Sequence, residues 1–181
     1  MRIVLASPLY PPEIAQPAPY VKELAKRLSK LHEVTIVTYS SMPEKVPNVR
    51  ILVTNKQYPL MLRLISYFFT LLRAARDADI VYAINGASVE LPAAFATFFV
   101  RRHLVFCIVD VAAHERTKHS VILRSIERLA YARAKRIITD TPHERPEILP
   151  LEPFPTEQMT AYEQSWDAHL RILEETFNYA T

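Results

Sequence analysis

The first 39 residues, "MRIVLASPLYPPEIAQPAPYVKELAKRLSKLHEVTIVTY" (Met1–Tyr39), decide how the rest of the chain is read. An apolar run, "RIVLA" (2–6), leads into a loop with four prolines between positions 11 and 19, and "EVTIVT" (33–38) closes the unit as a second strand. Between them Val21, Leu24, Ala25, Leu28 and Leu31 keep the helical period, which sets Lys22, Lys26, Arg27 and Lys30 on the outer side. A strand–loop–helix–strand unit is where an α/β protein usually cradles a ligand, with glycines letting the backbone approach a phosphate at the helix N-terminus. Here Ala15 and Gln16 occupy the centre of the loop, and Pro17 and Pro19 bring no N–H. The architecture of a ligand loop is present, with its phosphate-facing chemistry weakened.

The same alternation continues. "VRILV" (49–53), "DIVYAI" (79–84), "HLVFCIVD" (103–110) and "KRIITD" (135–140) read as further strands, several of them continuously apolar, as strands covered on both faces are. Helical patterns fall between them at about 60–76, 89–101 and 119–134. Right-handed βαβ units of this kind build a three-layer, Rossmann-like, doubly wound parallel sheet. After Asp140 the prolines at 142, 146, 150, 153 and 155 predict an extended connector over 142–156. A last helix over 157–181 follows, with Thr156 placed to cap it. Its stripe of Met159, Tyr162, Trp166, Leu170, Leu173 and Phe177 must dock somewhere, and the expectation is that it packs back on the lobe formed by residues 1–141.

Composition narrows the class. The 181 residues are half apolar and 23% charged, enough for one well-buried domain. The lone Cys107 sits in an apolar run and points to a packed thiol in a reducing, cytoplasmic setting. The opening apolar run is too short for a signal peptide. A net charge of +3 and a pI near 9.0 permit an anionic membrane surface or a phosphorylated ligand. Ordinary usage would place on the order of a dozen glycines in such a chain, yet Gly86 is the only one.

The order of these segments resembles the N-terminal, acceptor-side lobe of GT-B glycosyltransferases of the family-4-like type. "MRIVLASPLYPPEIAQPAPYVKELAKRLSKLHEVTIVT" is similar to that family's first strand, Pro-Pro turn, Gly-Gly loop, helix and Gly-His-Glu-Val step. "RDADIVYAING", "LVFCIVDVAAHER" and "RSIERLAYARAKRIITDTPHE" resemble its later segments, so the likeness runs over about 1–145. Family glycines are replaced at Ala15–Gln16, at Leu31 and at Val109. The C-terminal donor lobe, with its Glu-x7-Glu signature, has no counterpart here; Glu144 and Glu152 share the spacing only, inside the proline-rich stretch. The resemblance implies the acceptor-binding half of a sugar transferase that uses a nucleotide-sugar donor and no resident cofactor or metal. Such a half is inactive until a donor-binding lobe completes it. The alternative is a non-catalytic binding or scaffold module derived from such a lobe, and a weaker third is a stand-alone nucleotide-binding protein.

In an open parallel sheet, ligands meet the carboxyl ends of the strands near the switch in strand order. That nominates Glu13, Ala15, Gln16 and Tyr20 after the first strand, Asn85 and Gly86 after the fourth, His114, Glu115 and Arg116 after the fifth, and Thr141 after the sixth. The resemblance puts Asp110 at the mouth of the cleft, where a carboxylate could orient an acceptor hydroxyl or take its proton. An ordinary strand-end aspartate capping a turn or pairing with Arg116 is the other reading. His114 and Glu115 are either sugar contacts or exposed loop residues, and His119 and His143 have no partner at metal-ligand spacing.

One further segment stands out. In "YPLMLRLISYFFTLLRAARDAD" the polar Arg63, Ser66, Thr70 and Arg73 form one narrow stripe, and everything else from Leu60 to Leu72 is apolar. A helix lying on a sheet buries about half its circumference, so apolar surface is left over. It could meet a lipid surface as a peripheral membrane contact, a second subunit in a homodimer, a separate donor-lobe protein, or this chain's own C-terminal helix. The arginines disfavour a membrane span. No nucleic-acid partner is expected.

Overall fold

The computed structural model describes residues 1–15, 17–40, 42–109, 119–139 and 156–180. Six strands form one sheet: β1 (Arg2–Ser7), β2 (Glu33–Tyr39), β3 (Val49–Thr54), β4 (Ile80–Ile84), β5 (His103–Ile108) and β6 (Arg136–Thr139). Their order is β3-β2-β1-β4-β5-β6, and every neighbouring pair is parallel. The order reverses between β1 and β4, which makes that gap the switch point. The helices described are α1 (Ala18–Leu28), α2 (Leu60–Arg76), α3 (Ala87–Val100), α4 (Val121–Arg133) and α5 (Thr156–Ala180). The proline-rich stretch expected to connect the lobe to α5 lies, up to residue 155, outside the described residues.

Strand alternation divides the core in two. Ile3 and Leu5 of β1, Tyr82 of β4 and Val105 and Cys107 of β5 face a cluster shared with α1 and α5. Val4 and Ala6, Val81 and Ala83, and Leu104 and Phe106 face the other cluster, shared with α2, α3 and α4. A period of two with both faces covered is why these strands read as unbroken apolar runs.

The C-terminal helix does pack back on the body, but on the α1 side rather than against the apolar α2. Trp166, Leu173, Phe177 and Ala180 are buried with Tyr20, Val21, Leu24 and Leu28. Trp166 stacks on Tyr20 with ring centroids 5.9 Å apart. Arg27 is not on the outer side, as periodicity predicts, but buried under α5. Its guanidinium donates to both carboxylate oxygens of Glu163 at 2.8 Å and to Glu23 at 2.8 Å, and it lies 5.0 Å from the Trp166 ring centre. A planar fork matched to a carboxylate, lying over an indole, lets a charge sit at a half-dry seam. Lys135 closes the far end by donating to the Ala180 carbonyl at 2.7 Å.

Helix α1 also starts and stops earlier than its pattern suggests. Pro17 is its N-cap, and after Leu28 the chain turns, with Leu31 and His32 N–H both reaching the Leu28 carbonyl. Leu31 therefore leaves the apolar face and is 74% exposed. In α3, Pro92 sits inside the helix and cannot bond the Ser88 carbonyl one turn back. The Tyr39 hydroxyl donates to that carbonyl instead, at 2.8 Å.

The scarcity of glycine has a visible cost. Asn48 and Arg101 adopt left-handed φ values of 60° and 54°, the latter at the C-cap of α3 where glycine is the usual residue.

Candidate functional site

At the switch point, β1 runs into the loop after Ser7 and β4 into Asn85–Gly86. Gly86 has φ +146°, and a Cβ there would lie 3.3 Å from Pro8 Cγ. The one glycine of the chain is thus kept where both backbone conformation and crowding require it. Gly86 is the N-cap of α3, and its N–H donates to Glu90 Oε1 at 2.9 Å. Glu90 is buried one turn into the helix. Its carboxyl satisfies the N-cap N–H and places a negative charge at the positive end of the helix. A phosphate bound at the Gly86 N–H would have to displace a carboxyl of the protein itself.

Asn85 is buried as well, and it acts on the backbone. Its Oδ1 accepts from the Val109 N–H at 2.9 Å, and its own N–H donates to the Cys107 carbonyl at 2.9 Å. It therefore ties the end of β4 to the exit of β5, one residue before Asp110.

In the loop after β1, Tyr10 is fully buried, and burial first, then Glu44, pushes its phenol up to about 12. Glu13 is ion-paired with Lys56 from the turn after β3. Ala15 is exposed, and its carbonyl accepts from the Ala18 N–H at 2.9 Å. The crest of the loop is Ile14, 92% exposed.

Tyr20 was expected on the rim of the cleft and lies inside the molecule. It is fully buried, with its hydroxyl 2.8 Å from His169 Nε2 and 3.2 Å from the Tyr82 hydroxyl. The reason is the early start of α1, which turns position 20 inward beneath α5. Gln16, Asp110, His114, Glu115, Arg116 and Thr141 lie outside the described residues.

An open cavity of about 350 Å³ adjoins this rim at the carboxyl ends of β2 and β3. It is lined by Ser40, Val53, Asn55, Gln57, Tyr58 and Ser66. Apart from Val53 these are neutral hydroxyl and amide groups, with no lysine or arginine, which suits a hydroxyl-rich ligand better than a phosphate. Sequence reasoning missed this set because Ser40 and Ser66 join the 53–58 stretch only in space and the six form no motif, and it missed Glu90, which stands alone in α3. A second cavity, about 370 Å³, opens at the opposite, amino ends of β1–β3. It gathers charges of both signs from Arg2, Glu33, Arg50, Arg73 and Asp77. Among the described residues no three His, Cys, Asp or Glu side chains gather as metal ligands.

A sequence profile of the glycosyl transferase 4-like domain matches residues 17–161. No curated protein sequence matches the chain. Solved structures share its fold, two of them as follows. A candidate UDP-N-acetylglucosamine 2-epimerase from Listeria monocytogenes is 14% identical with a TM-score of 0.53, over 76% of this chain and 38% of that one. HepE from Anabaena, solved with UDP-glucose, is 15% identical with a TM-score of 0.50, over 80% of this chain and 47% of that one. The chain thus spans less than half the length of either.

Proposed function

The chain belongs to the glycosyl transferase 4-like family, and from that premise we propose that it is the acceptor-binding lobe of a sugar transferase. The observation that carries this reading is the Glu90 carboxyl held on the Gly86 N–H, a protein acid at the start of α3 where a phosphate would meet it. The loop before α1 adds to it, since Pro17 and Pro19 supply no donors. The neutral cavity at Ser40, Asn55, Gln57 and Ser66 is suited to acceptor hydroxyls. The nucleotide sugar then binds on a separate lobe, in another chain or in further sequence of the same protein.

In such a transfer the acceptor oxygen bonds to the anomeric carbon, the bond from that carbon to the nucleotide's phosphate oxygen breaks, and the acceptor proton goes to a base. Asp110 is the proposed base, and Asn85, by pinning Val109, is a positioning residue for it.

The test is to capture the tagged chain with its partners from its own cells and assay transfer from nucleotide sugars. A donor-lobe partner, transfer by the complex, and its loss in Asp110→Asn are the expected results. Stabilisation of the isolated chain by a nucleotide sugar in a thermal-shift series would overturn the acceptor-side assignment. Full activity of Asp110→Asn would remove Asp110. A complex that binds but transfers nothing would favour the second reading, a binding module, to which an acid at the α3 terminus is equally suited.

A further inference from the structure

We propose that the outer face of α2, α3 and α4 rests on an anionic phospholipid bilayer. Between α2 and α3 runs an open groove of about 390 Å³ whose walls, Met61, Ile65, Phe68, Phe69, Phe95 and Phe99 among them, are apolar throughout. Large apolar side chains of the three helices stand well out of the protein. Phe69 is 60% and Phe99 64% exposed, and Ile122 of α4 is 73% exposed. The chain's own C-terminal helix covers the other side of the sheet.

The charge on this face names the occupant. Arg76 on α2, Arg101 at the end of α3 and Arg128 on α4 are exposed. The only acids within the three helices are Glu90 and Glu127, and both are buried. The first acid beyond α2, Asp77, lies at the lower rim beside the cavity it shares with Arg73. The helix ends are gathered, since Arg102 donates to the Arg76 carbonyl at 2.8 Å, and Arg133 lies 5.8 Å from the Phe98 ring centre. Phenylalanine side chains with guanidinium groups gathered at the helix ends beside them match the two layers of a lipid interface, acyl boundary below and phosphate headgroups above. A second copy docking by the same face would set arginine against arginine. None of the described helices is long and apolar enough to cross the membrane, so the contact is one of lying on the surface.

The experiment is co-sedimentation of the full chain with vesicles of phosphatidylcholine alone and of phosphatidylcholine with phosphatidylglycerol. Binding to the anionic vesicles, at least roughly tenfold stronger than to the neutral ones and weakened by added salt, is expected. The double variant Phe69→Asp/Phe99→Asp, and separately Arg76→Gln/Arg101→Gln, should each lower that binding by roughly tenfold or more. Circular dichroism and the fluorescence of Trp166, on the far side of the sheet, report that the fold is intact. Equal binding to both vesicle types, no binding, or unchanged binding by either double variant overturns the proposal. So does a concentration-dependent dimer abolished by the phenylalanine substitutions, which would give the face to a second copy. No outcome depends on sugar transfer, so the acceptor-lobe reading stands or falls separately.

Discussion

The two faces of this sheet begin from the same rule and end differently. On one, α1 is roofed by α5, and Trp166, Tyr20 and Arg27 interlock beneath it. On the other, α2, α3 and α4 lie side by side with nothing over them among the described residues, and their outward side chains are leucine, phenylalanine and arginine. Charge separates them too. Helix α5 holds Glu163, Asp167, Glu174 and Glu175 against the single basic residue Arg171, whereas exposed acids are absent from the three helices opposite. Alternation along a strand guarantees two apolar faces. It does not guarantee that one chain covers both equally.

Four measurements would break or sharpen that contrast. Trp166→Ala removes the largest buried side chain of the roofed face and should cost about 3–5 kcal/mol in chemical denaturation. A loss below about 1 kcal/mol would mean that α5 is not part of the cooperative core. Arg27→Ala leaves Glu163 without its bidentate partner and Glu23 with Lys26 alone. Because Glu163 is half exposed, about 1–2 kcal/mol is expected, and no loss would reduce the seam to a surface pair.

The third concerns pH. Hydrogen bonds from Arg27 hold the Glu163 carboxyl below its ordinary 4.5, against the opposing effect of burial. A depressed acid contributes stability above its unfolded value and loses it as pH falls through the folded value, so the roof should loosen only below about pH 4.5. Trp166 is the only tryptophan, so its emission should shift to the red in that window. In Glu163→Gln that component should vanish. The smallest effect belongs to the open face: Phe99→Ser should change stability by no more than about 0.5 kcal/mol. A loss like that of Trp166→Ala would show that the open face is packed in solution.

The sequence made the sheet legible because each strand is a short apolar run bounded by polar residues, and all six lie where their patterns place them. Helix α2 spans Leu60–Arg76, as read. Contacts between distant segments were not legible. The stripe on α5 announced that it needs a partner, but a stripe does not say which. Arg27 follows the polar side of α1 by periodicity, and only Glu163, 136 residues away, explains its burial. Tyr20 was read as a rim residue because it follows the loop, whereas the first turn at Ala18 aims it inward. Of the candidate site, Gly86 and Asn85 were legible at the switch point, since glycine scarcity made the one survivor conspicuous. Glu90 was not, because its role lies in a single hydrogen bond back to Gly86. The polar cavity escaped notice because Ser40, Asn55 and Ser66 meet only in space.

The seating of Trp166 on Tyr20 also sets an order of events during synthesis. Helix α1 ends at Leu28 and α5 at Ala180, so about 150 residues are made between them. At roughly 5–20 residues per second that is on the order of 8–30 s. Through that interval Tyr20, Val21 and Leu24 have sheet on one side and no roof on the other. The nascent chain thus presents a greasy seam on each side of its sheet, and translation closes only one of them.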